Sequence, residues 1–390
     1  MDVNSQVIIV GGGIAGLTTA LALSQVEIPT LVLERLNFED ESGAGIQLTP
    51  NATRVLFQLG LQSSLVPVSH EPEILETRHW RTGNVLCRVP LRQIVAQYCE
   101  FPYLQILRSD LIEILRRKCL KQTNITLMDH VEVTDIEQSE NGVSLHSSNE
   151  IFSAPMVIGA DGTHSTISAL IGNTQELEFS GWQAWRTVQS DPTLSSPGLR
   201  KTNVWCGKAG HIVHYPVNSK RTYNFVFVTK SNQTLSGKWK QRGSVSELGA
   251  YFRDWHHSVR EMIEQIDQQR LFRWGLFHHA RTKHSWSSQR IVLLGDAIHA
   301  TMPFLAQGAA LAIEDASTIA NRLKSDSKNI EKVIELFVES RRQRVERIQK
   351  RSERMGVIFH LGFPWSIIRD LGTQWAIKNL ARDIYRFQTV

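Results

Sequence analysis

Short apolar runs that stop at a glycine or an acid recur along this chain, and they outline a parallel sheet before any motif is considered. Val7–Val10 is β-branched and continuous rather than alternating, the pattern of a strand buried on both faces. An apolar stretch over 17–23 continues as a helix, and a second strand over 30–33 closes on Glu34. Runs over 104–107, 156–160 and 291–294 repeat the pattern and deliver Arg108, Gly159-Ala160-Asp161-Gly162 and Gly295-Asp296. Asn51 reads as the N-cap of a helix to Leu59, and Ser109 as the cap of a helix to Cys119. Residues 125–153 read as antiparallel strands turning at 140–142, and 74–105 as an excursion rich in prolines and aromatics. Between 179 and 285 the texture changes: runs over 183–188, 203–206, 211–216 and 222–229 carry Trp, Tyr, Val and Phe. Helices over 245–255 and 259–268 follow, so this region reads as an antiparallel sheet with helices on it. Gly308 opens a helix to Leu323, and a long helix over 329–354 carries Arg341, Arg344, Arg347, Arg351 and Arg354 as an expected solvated face.

The first turn gives this sheet a ligand. Gly11, Gly13 and Gly16 form G-x-G-x-x-G between a strand and a helix, with Ala15 inside the turn. The first glycine permits the turn, the second admits a pyrophosphate to the backbone, and the third lets helix and strand pack closely. Glu34, about 20 residues on, stands where an acid accepts the hydroxyls of an adenosine ribose. An adenine dinucleotide is therefore expected here.

Composition narrows the class. The 390 residues are 42% hydrophobic with a net charge of +5, enough for two or three domains. The mild basic excess lacks the basic tails of nucleic-acid binders and suits anionic small molecules. Four scattered cysteines, Cys87, Cys99, Cys119 and Cys206, suggest neither a metal site nor disulfides. No apolar run reaches the roughly 18 residues of a membrane span, and the first strand leaves no room for a signal peptide. A cytoplasmic protein is expected. The amphipathic end, 355–390, with Trp365, Ile367, Ile368, Leu371, Trp375 and Ile377, is expected on its own protein or a second copy rather than on a membrane.

Taken together, the glycine turn, GADG at 159–162 and GDA at 295–297 resemble the single-component FAD-dependent aromatic hydroxylases, the class A flavoprotein monooxygenases. GAGIQLTPNA (43–52), RSDL (108–111) and FLAQGAALAIEDA (304–316) are most similar to the branch of salicylate hydroxylase and 3-hydroxybenzoate 6-hydroxylase. The chain departs from the family pattern at Leu107, at Ser168 and in its tail, Asp383-Ile384-Tyr385-Arg386.

The resemblance implies an α/β fold: a Rossmann-like FAD-binding parallel sheet (1–73, 106–178 and 286–345) interleaved with an antiparallel substrate domain (74–105 and 179–285), then C-terminal helices (346–390). It implies that Glu34 holds the ribose, Arg35 the adenine side, Arg108 and Asp161 the pyrophosphate region and Asp296 the ribityl chain. Gly308 and Ala309 would aim a helix N-terminus at the flavin, beside Gln47. FAD reduced by NADH or NADPH would add O2 at C4a, and the hydroperoxide would hydroxylate a phenolic ring. HIVHYPV (211–217) is similar to the family's H-x-x-x-Y strand that lines the substrate pocket; His211 and Tyr215 share one strand face, and the resemblance implies that His211 is the base, with a pKa near working pH. Tyr215 and Gln307 would hydrogen-bond the substrate, while His214 points the other way. Partners are then a small aromatic molecule and O2, with a monomer or homodimer expected. A hydroxylase or epoxidase of a lipophilic or heteroaromatic compound such as a quinolone, and an FAD-binding protein without turnover, remain alternatives.

Overall fold

The computed structural model describes residues 7–38, 44–148, 150–173, 177–190, 201–207, 210–218, 222–231, 241–279, 285–361, 372 and 375–386. Strand β1 (Val7–Val10), helix α1 (Ile14–Gln25) and strand β2 (Thr30–Leu33) form the first crossover unit. β1 is central and pairs in parallel with β2 and with Met156–Gly159, which in turn pairs in parallel with Ile291–Leu293. All four strands are buried at every residue, which is why each reads as an unbroken apolar run. Because they run the same way, they end at one edge, and that edge carries Gly11, Glu34, Asp161 and Asp296. Ile125–Met128 is the far edge strand of this sheet, parallel to β2, and not part of the antiparallel insertion expected there. Four residues with partial exposure are too short a run to reveal their partner. The insertion itself is three-stranded, 133–154.

A second sheet has eight strands. Leu177–Ser190 is flanked by Phe272–His279 and Thr222–Lys230, then come Gly210–Pro216 and Lys201–Gly207. Ile74–His79 and Val85–Val89 follow, the former parallel to Lys201–Gly207, and the short strand Gln241–Arg242 pairs with Phe272–His279 at the opposite edge. Alternation divides the sheet into two faces. Trp185, Trp205, Ile212, Tyr223, Phe225 and Phe227 pack under the helices Val245–Tyr251 and His257–Glu264. Ala184, Val226, Val228 and Trp274 pack on the opposite face, against Met302 and Phe304 from the other half of the molecule. That inner face looks toward the strand edge just described.

Three local expectations are corrected. Helix α2 (Pro50–Gln58) starts after Thr49, so Asn51 lies inside it, fully buried, and is not a cap. The helix Arg108–Cys119 begins one residue before Ser109, with Leu107 at its N-cap. In the long helix Ile330–Phe359, Arg347 and Arg354 are exposed, but Arg341 and Arg344 are buried. Charges of that kind are almost never buried without a partner. Their partners are Glu314 and Asp315 in the Gly308–Ser325 helix, two acids that an apolar helix could not bury alone.

Of the amphipathic end, the described part folds back on the chain. Ile377, Ala381, Ile384 and Tyr385 join the main core, the Tyr385 ring lies edge-on to Tyr103 at 6.2 Å, and Trp375 is exposed. Trp365, Ile367, Ile368 and Leu371 lie outside the described residues. No helix among the described residues is long and apolar enough to cross a membrane.

Candidate active site

The glycines of the first turn have different reasons to be there. Gly11 has φ +109°, and a Cβ on it would sit 2.5 Å from the Ala160 carbonyl oxygen. A Cβ on Gly16 would meet the Gly11 oxygen at 1.9 Å, so α1 can lie this close to β1 only with glycine there. Gly13 is different: the nearest atom to its Cβ position is Arg108 Nη2, at 3.9 Å. It faces a cleft, and the free N–H groups at the start of α1 face it too. Ala15 sits in that first turn, its Cβ 3.3 Å from where a Cβ on Gly295 would be.

Around the cleft stand the acids. Glu34 accepts the Gly12 N–H at 2.6 Å on one oxygen and the Leu36 N–H at 2.9 Å on the other. It therefore ties the glycine turn to the end of β2 while each oxygen keeps a lone pair for a ribose hydroxyl. Arg35 is exposed beside it. Asp161 accepts the Ile167 N–H at 3.1 Å through Oδ2, while its Oδ1 is buried without a partner, and burial raises its carboxyl. Asp296 is exposed at the start of the short helix Asp296–His299, on the cleft side of the strand edge. The surrounding protein still raises its carboxyl by partial dehydration, against the pull of His299 and Arg108. A Cβ on Gly308 would lie 4.0 Å from Asp296 Oδ1, so the N-terminus of the Gly308–Ser325 helix, with Ala309 in its first turn, opens at the same place. A cradle that a side chain at Gly13 would fill, an orphaned carboxylate oxygen and two helix N-termini fit the phosphates and flavin of FAD. Asp296→Ala should make FAD dissociate roughly tenfold more readily, the scale of one lost hydrogen bond to a charged group. Flavin absorbance retained through dialysis at the parent's level would count against this role.

The inner face of the large sheet supplies the other wall. His211 and Tyr215 are both buried on it, while His214 lies on the aromatic face, receiving the Trp205 Nε1–H at 3.3 Å and stacked on Phe225. Tyr215 and Tyr103 both bond Gln47, which stands on strand β3 (Gly45–Leu48) opposite Leu104–Leu107. Burial pushes Tyr215 up to about 12, against Arg186 and Gln47, so its hydroxyl stays protonated. Gly45 lets β3 reach the sheet: its N–H donates to Asn224 Oδ1 at 2.8 Å, and a Cβ would meet that side chain at 2.5 Å. Its neighbour is thus the large sheet.

One expectation about this wall changes. His211 does not have a pKa near working pH: burial, helped by His360, holds it well below 6.5. Its Nδ1 shares a 2.9 Å hydrogen bond with His360 Nε2, and His360 stacks on Trp182 at 3.9 Å. Gln307 has both ends of its amide engaged within the protein: it donates to Thr49 Oγ1 at 3.0 Å and accepts from Asn51 at 3.1 Å. Asn51 donates on to Glu314 at 2.7 Å, and Glu314 is forked by Arg344 and bonded by Arg341. Asp315 takes the other side of Arg341 together with His299 and the Gly295 N–H. Gln307 thus positions the loop before the Gly308–Ser325 helix, from below.

Tyr103, Arg186 and His360 were missed by sequence reasoning. Tyr103 and His360 meet the site from distant segments with no local signal. Arg186 lay in a strand that was correctly read, with nothing to say which face it occupied.

Comparison with known proteins agrees with this geometry. The FAD binding domain family matches residues 4–352. The 3-amino-4-hydroxybenzoate 2-monooxygenase of Streptomyces cremeus is 32% identical over 369 residues, covering 93% of this chain and 89% of its own. The 3-hydroxybenzoate 6-hydroxylase of Klebsiella oxytoca is 29% identical over 362 residues, covering 90% and 88%. A salicylate hydroxylase solved as a substrate complex shares the fold, with a TM-score of 0.81 at 20% identity over 99% of this chain and 96% of that one. The match runs through both sheets and the cleft between them, and the chain belongs to the FAD binding domain family, among its FAD-dependent aromatic hydroxylases.

Proposed function

We propose that this protein hydroxylates a phenolic aromatic acid in the cytoplasm, using O2 and electrons from NADH or NADPH. The observation that carries the reading is the placement of His211 and Tyr215 on the sheet face that looks across Gln47 to the cofactor edge. Relatives named for acting on hydroxybenzoates support the substrate class. FAD, when bound, supplies the electron acceptance and the activation of O2. The chain's own part is to hold the ring, exclude water and take a proton. Tyr103, Tyr215 and Gln47 form a hydrogen-bonded wall that stays neutral. His211 is neutral in its buried setting, so it can accept the phenol proton, and a phenolate ring gives up electrons to an oxidant more readily. His360, hydrogen-bonded to the His211 ring, is the next acceptor in line.

The test is a panel of hydroxybenzoates, phenols and quinolones, with NADH and NADPH, followed by product mass. A gain of one oxygen on a hydroxybenzoate is expected; turnover of quinolones alone would favour the heteroaromatic alternative. His211→Ala should keep FAD and still oxidise the nicotinamide, while hydroxylation falls by about 10²–10⁴-fold, the usual share of a positioned base. Because His211 is held well below 6.5, it should impose no acid limb near that pH on the parent. A limb there that disappears in His211→Ala would contradict the buried, neutral histidine.

A further inference from the structure

Among the described residues, Arg186 is a cation without an anion. It lies on the inner face of the Leu177–Ser190 strand, cross-strand from Val226, while its neighbour Trp185 belongs to the aromatic face. Its Nε is buried and has no hydrogen-bond partner, and its guanidinium lies 4.8 Å from the centre of the Trp274 ring. No described carboxylate pairs with it; the groups it senses are the Tyr215 hydroxyl and a second cation, Arg108. The contrast within the same sheet is instructive. Arg273, one strand away, lies over Trp185 on the outer face and is paired with Glu247. Glu76, buried among charges, is matched by Arg78, Arg88 and Lys201. Arg186 is half-buried with its Nε fully so, and a guanidinium drawn out of water is normally matched in this way, because dehydrating a charge without compensation is costly. Ring stacking supplies only part of that compensation. Its planar fork is shaped for a carboxylate.

We propose that Arg186 is the anchor for the substrate carboxylate, and so the residue that makes this pocket select an aromatic acid over a neutral phenol. The inference rests on the reading of the pocket as a hydroxylase site. In it, the acid group lies against Arg186 and Trp274, and the ring extends toward Tyr215 and His211. Tyr215 stands beside the anchor and bonds Gln47, so it links recognition of the acid to the wall that holds the ring.

The probes are benzoate, 3-hydroxybenzoate and 4-hydroxybenzoate, each against its carboxamide, titrated into FAD-loaded protein by calorimetry. The parent should bind at least one acid more tightly than its amide by roughly tenfold or more, the scale of a hydrogen bond to a charged group. Arg186→Gln should retain FAD and lose that preference while binding the amide much as before. Arg186→Lys keeps the charge without the fork and should keep part of the preference; should the glutamine variant not fold, the lysine variant decides the matter by itself. An unchanged preference in either variant, or a parent that binds every acid no better than its amide, overturns the anchor. So does loss of FAD from a folded Arg186→Gln, which would assign the guanidinium to the cofactor. Product analysis is scored separately. Hydroxylation without carboxylate preference leaves the proposed function standing and removes the anchor. Carboxylate binding through Arg186 with no oxygenated product does the reverse.

Discussion

Arg341→Met is expected to lower the melting temperature at pH 7 by about 4–6 °C, the result of leaving buried acids without their cation. Arg341 is fully buried and bridges Glu314 at 2.8 Å and Asp315 at 2.6 Å. Burial alone would raise Asp315, but His299 and Arg341 outweigh it and hold the carboxyl at about 2. Glu314 is likewise lowered despite burial, by Arg341 and Arg344. The parent therefore gains stability from these acids above the ordinary carboxylate range, and loses it as pH falls through their lowered values. In the variant Glu314 keeps Arg344, while Asp315 keeps His299 and the Gly295 N–H, and burial pushes Asp315 up again. A raised folded value acts in the opposite direction: the protonated form is favoured, so the damage grows as pH rises through it. The gap between parent and variant should narrow from pH 7 to pH 4.5. Because Asp315 also receives the Gly295 N–H, immediately before Asp296, the variant should hold FAD more weakly as well. A thermal scan showing a shift under about 2 °C, or a gap that widens on acidification, would refute the bridging role.

This network also marks the limit of what the sequence discloses. The first crossover unit is legible because its signals are local: four apolar residues, a glycine turn, an apolar helix and an acid all fall within 34 positions. The strand edge is legible for the same reason, since parallel strands buried on both faces must read as unbroken apolar runs. Arg341 and Arg344 are not legible. An arginine stripe has the spacing of a solvated face whether or not a partner helix covers it, and Glu314 and Asp315 lie 27 and 26 residues away from Arg341. The aromatic sheet is an intermediate case. Alternation correctly separated His211 and Tyr215 from His214, since spacing alone decides that. It gave no account of His211 in its surroundings, because His360 arrives from 149 residues further on and shifts the histidine by burial and proximity. Gln307 shows the same limit: its motif was read correctly, but its amide is taken by Thr49 and Asn51, from a segment some 250 residues earlier.

The glycine turn allows a sharper test, because two of its glycines should fail in different ways. Gly16→Ala places a Cβ 1.9 Å from the Gly11 carbonyl oxygen and 3.3 Å from Ile9 Cγ2. Neither neighbour is a flexible tip: one is backbone of the turn itself, the other a buried strand residue. The helix must move off the strand, so the variant should melt below the parent even without cofactor, and should be colourless. At Gly13 an added Cβ meets nothing closer than Arg108 Nη2, the tip of a flexible side chain at 3.9 Å. The Gly13 backbone has φ −78°, which any residue adopts, so cofactor-free Gly13→Val should melt close to the parent. What it loses is the space over the start of α1, where the N–H groups would meet the phosphates. Its affinity for FAD should drop by about a hundredfold or more, the scale of displacing several charge-assisted hydrogen bonds at once. The two are compared by melting the cofactor-free proteins and by flavin absorbance after loading and dialysis. If Gly13→Val stays yellow, the cleft above Gly13 is not where the phosphates lie. If it melts as low as Gly16→Ala, the residue serves packing as Gly11 and Gly16 do, and none of the three glycines then requires a ligand to explain it.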